Sequence, residues 1–111
     1  MSDEIPANNE STAVARLDNL VAAWNKASFD AYSADFTQRL IDHYNPSYFT
    51  RLRTKSGQWL ANQYLGCLQQ GNYFVHLWRS RFENTTNDVL FSLSLNTDGK
   101  IVGLWKRSSG V

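Results

Sequence analysis

Between Tyr73 and Arg107 the chain reads as three consecutive strands, Tyr73 to Phe82, Asp88 to Asn96 and Ile101 to Arg107. The breaks are Glu83-Asn84-Thr85-Thr86-Asn87 and Asn96-Thr97-Asp98-Gly99, both rich in turn-forming residues and both short. Breaks of that length leave room for hairpins but not for crossover helices, so the strands form an antiparallel meander. Almost everything before Tyr73 has helical spacing. Helices first and a sheet last define an α+β plan, with N-terminal helices packed on a curved antiparallel sheet.

Side-chain parity decides which face of that sheet turns inward. In Asp88 to Asn96, Val89, Phe91, Leu93 and Leu95 share one face, and Leu90, Ser92, Ser94 and Asn96 the other. The first set is apolar throughout and must be buried. In Tyr73 to Phe82 one face carries Tyr73, Val75, Leu77, Arg79 and Arg81, and the other Phe74, His76, Trp78, Ser80 and Phe82. Burying two unpaired arginines would cost several kcal/mol each. Phe74, His76, Trp78, Ser80 and Phe82 therefore point at the helices. Val75, Leu77 and Arg79 lie on the outer face, a mixture typical of interfaces. The last strand is apolar on both faces, with Ile101, Gly103 and Trp105 on one and Val102 and Leu104 on the other. Such a strand is covered on both sides, by the helices and by a second subunit. The expected partner is thus a second copy of the chain, docked through Val75, Leu77, Arg79, Val102 and Leu104.

Upstream, residues 1–10 are polar, contain Pro6, and read as a disordered tail before a single domain over residues 11–111. Ser11 or Thr12 can cap a helix whose stripe is Val14, Leu17, Leu20, Val21 and Trp24. Ser28 or Asp30 can start a second helix with the stripe Tyr32, Phe36, Leu40 and Tyr44, stopped at Asn45-Pro46. Pro46 suits the first turn of a third helix that ends at Gly57. Trp59 to Leu68 is compatible with a strand, and a helix through Tyr64 is the alternative.

Composition removes several functional classes. At 111 residues, 42% of them hydrophobic and 19% charged, the chain is one globular domain that can bury a core without staples. A formal net charge of +1 supplies no field that would draw it to nucleic acid. No apolar run approaches the ~20 residues of a membrane span. The N-terminus lacks the basic and apolar regions of a signal peptide, so a cytoplasmic protein is expected. The single cysteine, Cys67, reads as a small buried apolar side chain. His43 and His76 have neither the spacing nor the partners of a metal site, and no Gly-rich phosphate loop or Gly-x-Ser-x-Gly motif occurs, so neither metal nor cofactor is expected.

Two stretches carry a resemblance. One is the amphipathic helix followed by the junction Asn25-Lys26-Ala27-Ser28-Phe29-Asp30-Ala31-Tyr32 and a second helix through Phe36. The other is the closing segment Asp98-Gly99-Lys100-Ile101-Val102-Gly103-Leu104-Trp105. From Val14 to Arg107 the order of elements resembles the nuclear-transport-factor-2-like superfamily of cone-shaped α+β domains. That superfamily includes ketosteroid isomerase, polyketide cyclases and many small bacterial proteins without assigned function. The resemblance implies a cone enclosing an apolar pocket. It does not imply a reaction, because this fold hosts enzymes, binding modules and dimerisation domains.

Within such a cone Tyr32, Tyr64, His76, Trp78, Ser80 and Phe91 are the expected pocket-lining residues. His76 and Asp35 are the candidate bases. A histidine kept neutral by burial between Phe74 and Trp78 can accept a proton, and the competing reading is a core histidine hydrogen-bonded to backbone or tyrosine. Trp59, Trp78 and Trp105 with Phe91 either line a cavity for a flat apolar ligand or fill the core. Arg51, Arg53 and Lys55 form a basic run that is either a solvated helix face or a contact for an anion. Two functions remain open. One is a dimerising domain that binds a small apolar ligand without catalysis. The other is a lyase, cyclase or isomerase acting on an apolar carbonyl compound.

Overall fold

The computed structural model describes residues 9–108. The expected tail, residues 1–10, lies almost wholly outside them; at its end Asn9 already caps the first helix, its side chain accepting a hydrogen bond from the Ser11 amide at 2.7 Å. The order is α1 (Glu10–Asn25), α2 (Phe29–Tyr32), α3 (Gln38–His43), α4 (Pro46–Ser56), β1 (Trp59–Gln70), β2 (Tyr73–Phe82), β3 (Val89–Leu95) and β4 (Ile101–Ser108). The four strands form one antiparallel sheet in the order β1-β2-β3-β4. Helices come first and the curved meander last: the fold is α+β.

Helix α1 is the spine of the helical layer. Ala13, Leu17, Leu20, Ala23 and Trp24 are buried, a stripe at three- and four-residue steps. The helix closes in a two-bond turn, with the Ser28 amide donating to the Ala23 carbonyl at 2.9 Å and the Ala27 amide to the Trp24 carbonyl at 3.0 Å. That closure needs a left-handed residue, and Ala27 supplies it at φ 58°.

The second helix departs from its periodicity. Tyr32, Phe36, Leu40 and Tyr44 do face one way, but the chain is helical only in α2 and again in α3. Between them the backbone turns over Ser33 to Asp35, and Phe36 then forms a parallel bridge with Ile101 at the start of β4. The Ile101 amide donates to the Asp35 carbonyl at 2.8 Å, and the Thr37 amide donates to the Ile101 carbonyl at 2.9 Å. Thr37 then caps α3 through its hydroxyl. The four-residue spacing is met by two short helices joined across a bridge, which sequence spacing does not distinguish from one helix. Gly57 ends α4 as expected, at φ 74°. A Cβ there would also come within 2.7 Å of the Glu83 carboxylate.

Trp59 to Leu68 is strand, not helix, and runs on to Gln70. Its poor alternation has a cause: the register with β2 shifts between Trp59 and Ala61 and again between Tyr64 and Gly66. Each extra residue reverses the parity downstream. Strand β2 faces as its arginines require. His76, Trp78, Ser80 and Phe82 are buried, and Arg79 and Arg81 are exposed. On β3, Val89, Phe91, Leu93 and Leu95 are buried in strict alternation.

Strand β4 corrects a second expectation. A register shift at Ser94/Leu95 pairs Leu95 with Ile101 but Ser94 with Gly103, leaving Val102 as the extra residue. Ile101 and Leu104 consequently both face the helices. Leu104 packs on the core and is not on the outer face, which receives Trp105 instead. Cys67 is likewise not buried: it is exposed near the far end of β1, beyond the helical cover.

Alanine in the left-handed conformation is disfavoured by about 1 kcal/mol or more relative to glycine. Ala27→Gly is therefore expected to stabilise the fold by roughly 0.5–1 kcal/mol, after allowing for the extra freedom that glycine gives the unfolded chain. Urea denaturation would detect it as a higher midpoint at unchanged slope.

Candidate functional site

A cavity of about 480 Å³ lies between the later helices and the β3–β4 half of the sheet. Tyr32 from α2, Tyr44 at the end of α3 and Leu52 on α4 form the helical wall. Val89 and Phe91 on β3 and Leu104 on β4 form the sheet wall. Two further lining residues, Tyr48 and Trp105, are exposed. The volume falls in the range of ligand pockets, ~300–1,000 Å³.

One end of the cavity is polar. Lys106 is partly buried and donates from Nζ to the Ser56 hydroxyl. Its ammonium stands 4.6 Å from the Phe82 ring centroid and 5.7 Å from that of Trp24. Lys55 and Asn84 line the same cavity. The Asn84 amide donates to the Ser56 carbonyl at 2.9 Å, which ties the β2–β3 loop to the end of α4. Burial lowers the Lys106 ammonium below the ordinary lysine range, and the charge of Lys55 lowers it further. Among the described residues no carboxylate lines the cavity, and the ion pairs Arg16–Asp35 and Arg79–Asp88 do not involve Lys106.

The helical wall carries a pair of tyrosines. Tyr32 is buried, and its ring centroid lies 5.7 Å from that of Tyr44. Burial pushes Tyr32 well above the ordinary phenol range and pushes Tyr44 up to about 12. Both therefore stay protonated at neutral pH. They can donate or accept a hydrogen bond but cannot serve as bases.

The expected site residues divide between this cavity and other places. Tyr32 and Phe91 line it. His76, Tyr64, Trp78 and Ser80 lie on the inner sheet face away from it. His76 is fully buried, with Nδ1 2.9 Å from the Tyr64 hydroxyl and Nε2 3.8 Å from the Cys67 sulfur. This is the environment of a core histidine bonded to tyrosine. The sulfur is no activated thiolate, because partial desolvation pushes the thiol up even though most of the residue is exposed. Ser80 donates to Asn62 Oδ1 at 2.6 Å, and the Trp59 indole donates to the same oxygen at 2.7 Å. Asp35 is paired with Arg16 at 3.9 Å, outside the cavity. Among the described residues no group of three or more His, Cys, Asp and Glu side chains could hold a metal ion.

Lys106 escaped the sequence reading. A lysine between Trp105 and Arg107 at the end of a strand looks like a solvated terminus. The bulge at Val102 turns it, together with Leu104, onto the side that Ile101 faces, and no residue type announces that bulge. Lys55 did carry a signal, as the end of the basic run on α4.

No protein-family profile matches the chain, and no curated protein does. Among solved structures the chain is similar to a SnoaL-like protein of unknown function from Burkholderia thailandensis, with a TM-score of 0.57 at 11% identity. The match covers 92% of this chain and 98% of the other. The chain has the cone fold of the nuclear-transport-factor-2-like superfamily. At this identity the likeness extends to the fold alone. Trp24, Trp78 and Phe82 are packed in the core, and the open space lies at the polar, lysine-bearing side.

The position of Lys106 has a consequence for stability. With its folded-state value lowered, the native state carries a disfavoured charge at neutral pH, and that cost disappears as pH rises from the lowered value towards 10.5. The stability of Lys106→Met relative to wild type should be most favourable near pH 7 and should decline towards pH 10. Chemical denaturation of both proteins across that range would show it. Using the difference between them removes the contribution of the tyrosines.

Proposed function

We propose that this protein is a small-molecule-binding cone domain that takes a small, largely apolar ligand without transforming it. The observation that supports this most is the 480 Å³ space walled by Tyr32, Tyr44, Leu52, Phe91 and Leu104. The space opens to solvent on one side and is bounded by rings and aliphatic side chains, and its size is that of small-molecule sites. Binding is favoured over a lyase, cyclase or isomerase acting on a carbonyl compound. That chemistry asks for a base at the ligand, and neither His76 nor Asp35 lines the cavity.

A thermal-shift screen with flat, uncharged aromatic and terpenoid compounds tests the reading. A binder at about 100 times its Kd adds roughly 2.7 kcal/mol, which for a domain of this size is a shift on the order of 10 °C or more. Leu104→Trp, which puts an indole into the cavity, should abolish the shift while the protein remains folded by circular dichroism. Shifts that survive Leu104→Trp would place the ligand elsewhere, and a screen with no binder at all would count against the reading.

A second element of the proposal is a homodimer formed through the outer sheet face. Leu65, Leu68, Tyr73 and Trp105 are exposed there, with Val75, Leu77 and Leu90 half-buried among them. The exposed Arg79 and Asp88, 3.6 Å apart, sit on the same face. A two-fold interface sets each patch against its own copy, so neighbouring opposite charges can exchange partners across the axis. The outer face differs from the expected one in one respect: Leu104 turns to the helices, and Trp105 stands on the outer face in its place. Wild type should sediment as a dimer at micromolar concentration and Leu68→Lys/Trp105→Glu as a monomer. A monomeric wild type would remove this part of the proposal.

A further inference from the structure

The polar end of the cavity places two ammonium groups beside an apolar chamber, and among the described residues no carboxylate lines it to balance them. Lys106 is held by one hydroxyl, that of Ser56, and by the faces of Phe82 and Trp24. Aromatic faces and a hydroxyl replace only part of the hydration that an ammonium loses on burial. Lys55 lies close enough to oppose the charge on Lys106. A second cation raises the local positive potential, and it makes an anion the one kind of ligand group that relieves both at once. Ser56 and the Asn84 side chain supply neutral hydrogen-bonding groups next to the two lysines. Elsewhere the lining carries no charged group: Leu52, Val89, Phe91 and Leu104 are apolar, and Tyr32 and Tyr44 stay neutral.

We propose that the cavity is built for an apolar carboxylic acid, its ring or chain against Phe91, Leu104 and Tyr32 and its carboxylate at Lys106, with Lys55, Ser56 and Asn84 around it. This rests on the reading of the cavity as a ligand site and adds the chemical class of the ligand. The ligand's carboxylate supplies the counter-charge that the described lining lacks. Lys106 is here a binding residue and performs no covalent step.

The test compares an acid with its uncharged isostere. Titrations of wild type with 2-naphthoate and with methyl 2-naphthoate at pH 7, followed by isothermal calorimetry, should give a Kd at least about tenfold lower for the acid, a difference of about 1.4 kcal/mol. In Lys106→Met the two compounds should bind within about threefold of each other, the ester about as it binds wild type. Lys55→Met should reduce the preference without erasing it. An ester that binds wild type as tightly as the acid overturns the carboxylate assignment and leaves the apolar cavity standing as a ligand site. If neither compound binds wild type, the assignment fails together with the reading on which it rests. A preference for the acid that persists in both lysine variants also overturns it, because the anion is then held elsewhere. The wild-type comparison needs no variant, so the question is decided even if Lys106→Met does not fold.

Discussion

Trp24 is the contact on which the rest of the structure depends. Its ring lies within 6 Å of Tyr32, Phe49, Trp59 and Phe82, which come from α2, α4, β1 and β2. Its indole donates to the Gly57 carbonyl at 2.9 Å, and its own carbonyl accepts from Arg53. One residue later, Asn25 grips the Trp59 backbone twice, donating to its carbonyl at 3.0 Å and accepting from its amide at 2.9 Å. The end of α1, the end of α4 and the beginning of the sheet are thereby fastened at one place. Edge-to-face geometry dominates among these rings, the arrangement that the aromatic quadrupole favours. Truncating a buried tryptophan in such a cluster removes ~3–5 kcal/mol, a large part of the stability of a small domain.

The same cluster explains why the cavity lies where it does. Trp24, Trp78 and Phe82 fill the space under β1 and β2, where α1 lies across the sheet. On the β3–β4 side the cover is three short helices whose tyrosines and Leu52 stand back from Phe91 and Leu104. Lys106 occupies the boundary, with its ammonium over the last rings of the packed region. The polar end of the cavity is thus also the edge of the hydrophobic core. That is the position at which a charge can be desolvated without being sealed off.

Much of the fold was legible because it follows from local chemistry and from period-two alternation. The stripe of α1, Pro46 at the start of α4, Gly57 at its end, and the inward set His76, Trp78, Ser80 and Phe82 were all readable. Two exposed arginines settled the orientation of β2. The site was less legible. Tyr32 and Phe91 were placed in the lining, but Lys106, Lys55, Ser56 and Asn84 were not. His76 stood out as a titratable residue on a buried face, and the tertiary structure gives it to Tyr64 and Cys67. Asp35 stood out as an acid on a helix; its backbone pairs with Ile101 and its carboxylate with Arg16.

By itself the sequence determined the element types, the order of helices before sheet, and the inward face of every strand that keeps its alternation. These follow from interactions within a few residues of one another, together with the cost of burying charge. Only the tertiary structure decided where alternation is interrupted. The extra residues near Leu60, Leu65 and Val102 are register slips between paired strands, and a slip belongs to the pair and not to either strand. The slip at Val102 places Ile101, Leu104 and Lys106 on one side, which the uninterrupted strand would have divided between two. A charge enters the cone because of that single inserted residue, and the free energy that fixes it comes from the strands and helices on either side.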